Sequence, residues 1–213
     1  MFTEQYKICQ SNSAEYDDVV MNSWAVMCRI HRKDSFVHQD TCRGSVFFGR
    51  GFSQVDQKFI QAINRSNSHW YVVSNALTFV KNPDVVEVFD SMVTSTTLSS
   101  VSHLDPLLVR WVLQIKPHTA CIRYISTQVQ ATGSRDCGPW ALGFVWSLSM
   151  GHQPKAFQDH LRPPLIRQKV RESFIQNRFI APTKTTPRVL PKVILKNFRR
   201  EPGSATFQVE HPS

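Results

Sequence analysis

The sequence predicts a mixed α/β (α+β) domain, because segments with helical periodicity alternate with short segments rich in β-branched and aromatic residues. The chain has 213 residues, of which 41% are hydrophobic. This composition is enough for one sizeable core and excludes a wholly disordered chain. No apolar run approaches the roughly 20 residues of a transmembrane helix, so we expect no membrane partner.

The first half of the chain is predicted to contain two helices and three strands. In the helices, apolar residues recur every three or four positions, over 15–30 and 55–63. The strands are rich in β-branched and aromatic residues and cover 45–49, 69–76 and 84–91. Asn82-Pro83 falls between the last two strands and predicts the connection between them.

The second half is predicted to add three helices and one strand. Asp105 followed by Pro106 has the pattern of an N-cap and a first helical turn, and begins a helix over 105–116. A strand is expected at 120–126 and a surface helix at 163–178. Residues 137–150 are apolar nearly all round, which is typical of a helix buried at the centre of a domain.

Basic residues are concentrated in the last third of the chain. Residues 1–150 hold 13 basic and 12 acidic side chains, whereas residues 151–213 hold 12 and 4. We predict a domain over 1–180 and a basic, proline-containing, mostly disordered tail over 181–213. Such a tail suits localisation in the nucleus or cytoplasm, or binding of an acidic partner. It lacks a motif that reads bases, so nucleic acid is at most an accessory partner.

The cysteines indicate a reducing, intracellular compartment, because there are five of them and no CxxC pair. Cys28, His31, His38 and Cys42 are spaced somewhat like zinc ligands. Zinc would need all four in a tetrahedron, but only six residues separate the two pairs, and the first pair ends a predicted helix. We therefore expect no metal and no other cofactor, with Cys28 buried and the histidines in solvent.

A histidine–carboxylate pair follows from the second and third predicted strands. If they form an antiparallel hairpin centred near Phe79 and Val80, His69 lies opposite Asp90. A carboxylate beside an imidazole fixes one tautomer and stabilises the protonated ring. Ordinary polarity at strand ends gives the same pattern, so the pair alone does not identify a catalytic site.

Cys137 lies where the buried helix begins. Pro139 favours the first helical turn, so the thiol sits at the positive end of the helix dipole, where its pKa is lowered. Gly133 in the preceding loop would let backbone amides face an oxyanion. A structural cysteine leading a core helix has the same pattern, and the His–Asp pair is what favours a nucleophile.

Together these residues predict a Cys–His–Asp apparatus in the chain order His, Asp, Cys, which papain-like enzymes do not have. The stretches HWYVVSN, VEVFDSM and QVQATGSRDCGPWALGF carry the three residues. In order and spacing they resemble the Ulp-type (SUMO-specific, sentrin) cysteine proteases, which share a clan with the adenovirus protease. The resemblance runs from about Asp17 to Ile180 and is nearest to compact members of that family.

The resemblance implies a three-layer domain in which helices flank a central mixed sheet and the nucleophile begins a buried helix. It implies that Cys137 is the nucleophile, His69 the general base and acid, and Asp90 the residue that orients the histidine. Gln130 would donate to the oxyanion, although it lies seven residues before the cysteine where the family usually has six. Gln128 is the alternative.

The resemblance also implies a narrow tunnel for the Gly-Gly tail of a ubiquitin-like modifier. Trp70, which follows the histidine, would form one wall. The family's first helix usually opens with a tryptophan on the other side, where this chain has Glu15 next to Tyr16. Tyr16 is then the candidate for that wall. The implied partner is a SUMO-like modifier or its conjugates, and we expect a monomer.

Three functions remain open from the sequence. The favoured one is a thiol peptidase or isopeptidase that hydrolyses the bond after Gly-Gly. An acyltransferase, such as an acetyltransferase, would use the same three residues. An inactive relative that only binds the modifier would fit the shifted glutamine and the absent tryptophan, whereas the intact triad favours an enzyme.

Overall fold

The computed structural model describes residues 15–33, 36–44, 50–65, 68–157, 161–182 and 186–210. Its strands are β1 (Ile60–Arg65), β2 (His69–Ser74), β3 (Val85–Phe89), β4 (Cys121–Ile125), β5 (Ile194–Arg200) and β6 (Phe207–Val209). Its helices are α1 (Asp18–His31), α2 (Ser95–Ser99), α3 (Pro106–Ile115), α4 (Cys137–Ser149) and α5 (Pro163–Ile175). None of the helices in these ranges has the length and apolar character to cross a membrane.

The six strands form one mixed sheet whose spatial order follows the chain, from β1 to β6. Only β3 and β4 run parallel, and every other neighbouring pair is antiparallel. Parallel neighbours need a long crossover, which α3 supplies. Asp105 caps α3 by accepting a hydrogen bond from the backbone N–H of Leu107 at 2.9 Å, as the sequence predicts.

Helices cover both faces of the sheet, which confirms the predicted three-layer arrangement. On one face, Trp24 of α1 and Phe144 of α4 pack with Phe89 of the sheet. On the other face, Trp111 of α3 packs with Phe198 of β5. Every residue of α4 after its first is buried, so this helix is the centre of the first layer, and burial of its apolar surface holds it there.

The predicted helix over 55–63 is wrong, because β1 begins within it. Ile60 and Ala62 face the first hydrophobic layer, whereas Phe59 and Ile63 face the second. A strand buried on both faces shows no alternation of polar and apolar residues, and periodicity alone cannot separate it from a helix. The strand predicted at 45–49 lies outside the described residues.

The hairpin of β2 and β3 forms as predicted, but its register differs by two residues. Val72 pairs with Phe89 and Ser74 with Glu87. The connection is not a symmetric tight turn, because Phe79 N–H donates to Asn75 O at 2.7 Å in a helical turn. Strand side chains alternate between faces, so a two-residue shift leaves His69 and Asp90 on the same face as diagonal neighbours.

The C-terminal segment is not the disordered tail that the sequence predicts. β5 pairs with β4 and β6 pairs with β5, so both extend the sheet beyond β4. In β5 only Phe198 is fully buried. Because lysines and arginines surround it, the sequence does not show the alternation of apolar and polar residues that is typical of a strand. The strand is held by its backbone ladder and by this one aromatic anchor.

Basic side chains in the described part of this segment bond within the domain. Lys192 Nζ lies 2.6 Å from Glu87 Oε1, and Lys196 Nζ lies 2.8 Å from Leu98 O. Arg199 contacts Glu210, and Arg200 contacts Pro117 O. These contacts leave fewer free charges for an acidic partner than the sequence suggests.

The Lys192–Glu87 pair yields a stability test. Glu87 is fully buried, and burial raises its pKa against the opposing influence of Lys192 and Arg123. Lys192→Met should lower the free energy of unfolding by about 1–3 kcal/mol, because the buried Glu87 carboxylate loses its ion-pair partner. Lys192 is itself partly exposed, which limits the size of this loss. Since a protonated Glu87 carries no charge, the loss should be smaller at pH 5 than at pH 7.

Urea denaturation of the double-mutant cycle with Glu87→Gln measures this coupling. Lys192→Met should cost clearly less in the Glu87→Gln background than in the wild type. An equal cost in both backgrounds would contradict the pairing.

Candidate active site

Three side chains from separate elements meet at one end of the sheet. His69 begins β2, Asp90 directly follows β3, and Cys137 begins α4. His69 Nε2 lies 2.8 Å from Asp90 Oδ1, and the two side chains are only 12% and 11% exposed. The structure therefore brings the three predicted residues together, and in this environment hydrogen bonds and charges are weakly screened by water.

The Asp90 carboxylate is fixed by the chain around it. Besides His69, its Oδ1 accepts a hydrogen bond from the backbone N–H of Met92 at 2.8 Å. Its backbone carbonyl accepts from Thr127 Oγ1 at 2.9 Å. The acceptor for the imidazole is thus oriented by groups on two segments.

His69 and Cys137 shift one another's pKa in opposite directions. Burial lowers the pKa of His69, but Asp90 and Cys137 outweigh burial and raise it to about 9. Burial raises the pKa of Cys137, but His69 and the backbone N–H groups of Trp70 and Gly138 outweigh burial and lower it below its ordinary value. Because Nε2 engages Asp90, Nδ1 is the ring nitrogen left for the thiol. These opposed shifts favour a thiolate beside an imidazolium over a neutral thiol beside a neutral ring.

A cleft of about 230 Å³ opens onto Cys137. Trp70 is buried in its wall, and its Nε1 donates to the backbone carbonyl of Tyr16 at 2.9 Å. Tyr16 also lines the cleft but is only 3% exposed. A Cβ atom at Gly138 would approach the Tyr16 Cβ to 3.0 Å, so a side chain at Gly138 would push against the Tyr16 segment.

The two candidate glutamines lie in different places. Gln130 lines the cleft; its Oε1 accepts from Ser91 Oγ at 2.8 Å, and its Nε2 lies 3.3 Å from Ser134 O. Gln128 donates from Nε2 to Pro154 O at 2.9 Å and is not among the residues that line the cleft. Of the two, the geometry favours Gln130.

Comparison with known proteins identifies the family. The sequence model of the Ulp1 protease family, C-terminal catalytic domain, matches residues 52–181. This chain belongs to the Ulp1 protease family. It is therefore a cysteine protease, and the match includes His69, Asp90 and Cys137 but ends before β5 and β6.

Solved structures of Ulp1 share the fold of this Ulp1-family protease. The Ulp1 protease domain in complex with Smt3, the yeast ortholog of SUMO, is 14% identical with a TM-score of 0.53, and the alignment covers 82% of each chain. The SUMO protease Ulp1 with its catalytic cysteine oxidised to a sulfonic acid is 16% identical with a TM-score of 0.56, covering 82% of this chain and 83% of that one. No curated protein sequence matches the chain significantly.

Arg167 is a site-supporting residue that the sequence interpretation missed. Its side chain is 3% exposed, and its guanidinium bonds Asp136 Oδ1 at 3.1 Å and Arg135 O at 3.0 Å, so α5 anchors the loop that leads into Cys137. The same group lies over the Tyr16 ring, 5.1 Å from its centroid. The sequence contains a signal for the burial of Arg167. It lies three residues before Val170, so both residues are on the buried face of the helix.

The residues spaced like zinc ligands have other surroundings. Cys28 is buried in the core, and His38 Nδ1 lies 2.9 Å from Ile60 O. The His31 ring stacks on Phe179 with 4.7 Å between centroids. Within the described ranges, no three His, Cys, Asp or Glu side chains are arranged to hold a metal ion.

The opposed pKa shifts predict a distinctive alkylation profile for Cys137. Iodoacetamide should modify it with a midpoint below the ordinary thiol pKa, and His69→Ala should move that midpoint upward, because burial then acts with less opposition. Peptide mass spectrometry across pH 5–10 measures the rate at each cysteine.

Cys42 is the internal control for this profile. Partial burial of the thiol and the carboxylates of Asp18 and Asp40 raise its pKa to about 11, although the residue as a whole is exposed. Cys42 should react only at high pH in both proteins. Equal midpoints for Cys137 in the wild type and in His69→Ala would contradict the thiolate–imidazolium pair.

Proposed function

We propose that this chain is a thiol peptidase and isopeptidase that hydrolyses the bond after the C-terminal Gly-Gly of a SUMO-like modifier. The observation that carries the proposal is the largely buried pair of His69 and Asp90, with His69 lining the same cleft as the Cys137 thiol at a helix N-terminus. Membership of the Ulp1 family supports protease chemistry. The likeness to Ulp1 bound to Smt3 supports a modifier of the SUMO type as substrate.

Acylation begins with the thiolate of Cys137, which attacks the carbonyl carbon of the second glycine. The tetrahedral oxyanion would accept hydrogen bonds from Gln130 Nε2 and from backbone amides at the start of α4. His69 then donates its Nδ1 proton to the leaving amine as the C–N bond breaks. A lysine side chain or a peptide amine leaves, and the modifier remains on sulfur as a thioester.

Deacylation uses the same groups in reverse order. Neutral His69 removes a proton from water, the resulting hydroxide attacks the thioester carbonyl, and the C–S bond breaks. The modifier leaves with a free carboxylate, and the thiolate–imidazolium pair is restored. Asp90 keeps the ring in one orientation throughout and stabilises its charged form.

Specificity for glycine follows from the size of the cleft. Trp70 and Tyr16 are buried in its wall and held by a hydrogen bond between them. A volume of about 230 Å³ accommodates a short backbone segment without side chains. We assign both residues to substrate binding.

We expect a single chain to suffice for activity, because all of the proposed site residues come from it. An acidic partner, or placement in the nucleus, would depend on the basic residues of the C-terminal third.

Hydrolysis of a fluorogenic amide at the C-terminus of SUMO tests the proposal. The wild type should release the fluorophore, and Cys137→Ala should abolish release. Asp90→Asn should lower kcat by about 10²–10⁴, because the ring loses its anionic acceptor and its tautomer. Continuous fluorescence over a range of substrate concentrations separates kcat from KM.

Two controls make this assay specific. Cys42→Ala removes an exposed thiol away from the cleft and should leave kcat unchanged. The same fluorophore on ubiquitin tests the modifier. Undiminished release by Cys137→Ala, or acetyl transfer from acetyl-CoA without any hydrolysis, would contradict the proposal.

A further inference from the structure

We propose that Ser91 is a positioning residue that fixes the orientation of the Gln130 side-chain amide and so presents its N–H to the oxyanion. The inference rests on the proposed function, because it concerns how the oxyanion donor of that reaction is held. Ser91 follows Asp90 in the chain, and its side-chain hydroxyl hydrogen-bonds to Gln130. Its effect on catalysis would pass through Gln130.

Ser91 holds Gln130 at two points. The Ser91 hydroxyl donates to Gln130 Oε1 at 2.8 Å, and the Ser91 carbonyl accepts from the Gln130 backbone N–H at 2.8 Å. Ser91 is 1% exposed, so water does not compete for its hydroxyl. One buried residue thus fixes both the backbone and the side chain of the proposed donor.

The chemistry of the amide makes this orientation matter. The nitrogen end of a glutamine can donate to an oxyanion, whereas the oxygen end would repel it. The Ser134 carbonyl, 3.3 Å from Nε2, can only accept, so it requires the nitrogen on its side. The Ser91 hydroxyl supplies the donor that Oε1 needs on the other side, and the second hydrogen of Nε2 remains for the substrate.

The same contacts explain how the longer loop before Cys137 is tolerated. Gln130 lies seven residues before the cysteine. Within the loop, Ser134 N–H donates to Ala131 O at 3.0 Å, and Gly133 has φ +76, which favours glycine. The extra residue is taken up in this turn, while Gln130 stays fixed to the end of β3 by Ser91. Its position therefore depends on Ser91 and not on the number of residues to the nucleophile.

Adjacent residues thus support both halves of the site. Asp90 orients the general base, and Ser91 orients the oxyanion donor. Asp90 directly follows β3 and Ser91 begins the turn after it, so this short segment serves the two groups at once. This arrangement predicts that a defect at Ser91 is independent of the thiol pKa.

A kinetic double-mutant cycle tests the proposal, with kcat and KM measured on the SUMO fluorogenic amide. Gln130→Ala should lower kcat by about 10²–10³, as expected for the loss of one oxyanion donor. Ser91→Ala should lower kcat about tenfold with KM nearly unchanged, because a neutral hydrogen bond is lost while substrate contacts stay. In the Gln130→Ala background, Ser91→Ala should have no further effect.

Two further measurements separate positioning from a general structural role. Ser91→Thr keeps the hydroxyl and should recover most of kcat. The alkylation midpoint of Cys137 should be the same in Ser91→Ala and in the wild type, because Asp90 and His69 are untouched. Thermal unfolding of each variant confirms that a folded protein is compared.

The outcomes distinguish this proposal from the proposed function. An equal loss of kcat from Ser91→Ala in both backgrounds, or a shifted alkylation midpoint, overturns the positioning role while hydrolysis by the wild type still supports the peptidase. A Gln130→Ala variant with full kcat also overturns it. A wild type that does not hydrolyse the SUMO amide, with Cys137→Ala equally inactive, overturns the proposed function and this proposal with it.

Discussion

The hydrogen bond between His69 and Asp90 is the interaction on which the chemistry of the site depends. It joins the first residue of β2 to the residue after β3, so the pairing of these strands places it. Burial alone would lower the pKa of the histidine and raise that of the thiol, and both would then be neutral. Asp90, together with Cys137, reverses the effect on the histidine. His69, together with the backbone N–H groups of Trp70 and Gly138, reverses the effect on the thiol. The pairing of β2 with β3 therefore influences the protonation of His69, and through it that of Cys137.

The nucleophile is held by packing rather than by local helix preference. α4 is surrounded by apolar side chains on every side, and its N-cap residue, Asp136, makes no side-chain capping bond. Asp136 is instead bound by Arg167 from α5. The amides at the start of α4 therefore remain available to the thiol and to a developing oxyanion. Arg167 fixes the loop without occupying that site.

The sequence was informative where a local pattern determines position. Pro139 marks the start of α4, and strand alternation keeps His69 and Asp90 on one face even though the predicted register was two residues off. The sequence was uninformative where several segments meet. β1 is buried on both faces and imitates a helix, and the charged side chains of β5 hide a strand. The contact of Ser91 with Gln130 joins residues 39 positions apart, which no periodicity reveals.

The most direct test of the thiolate–imidazolium account is the rate at which a SUMO derivative with a C-terminal electrophile attaches to the protein. Peptide mass spectrometry identifies the modified cysteine. The account predicts a single adduct on Cys137 in the wild type and a rate that falls by at least about 10² in His69→Ala. An adduct on another cysteine, or an unchanged rate in His69→Ala, would contradict it.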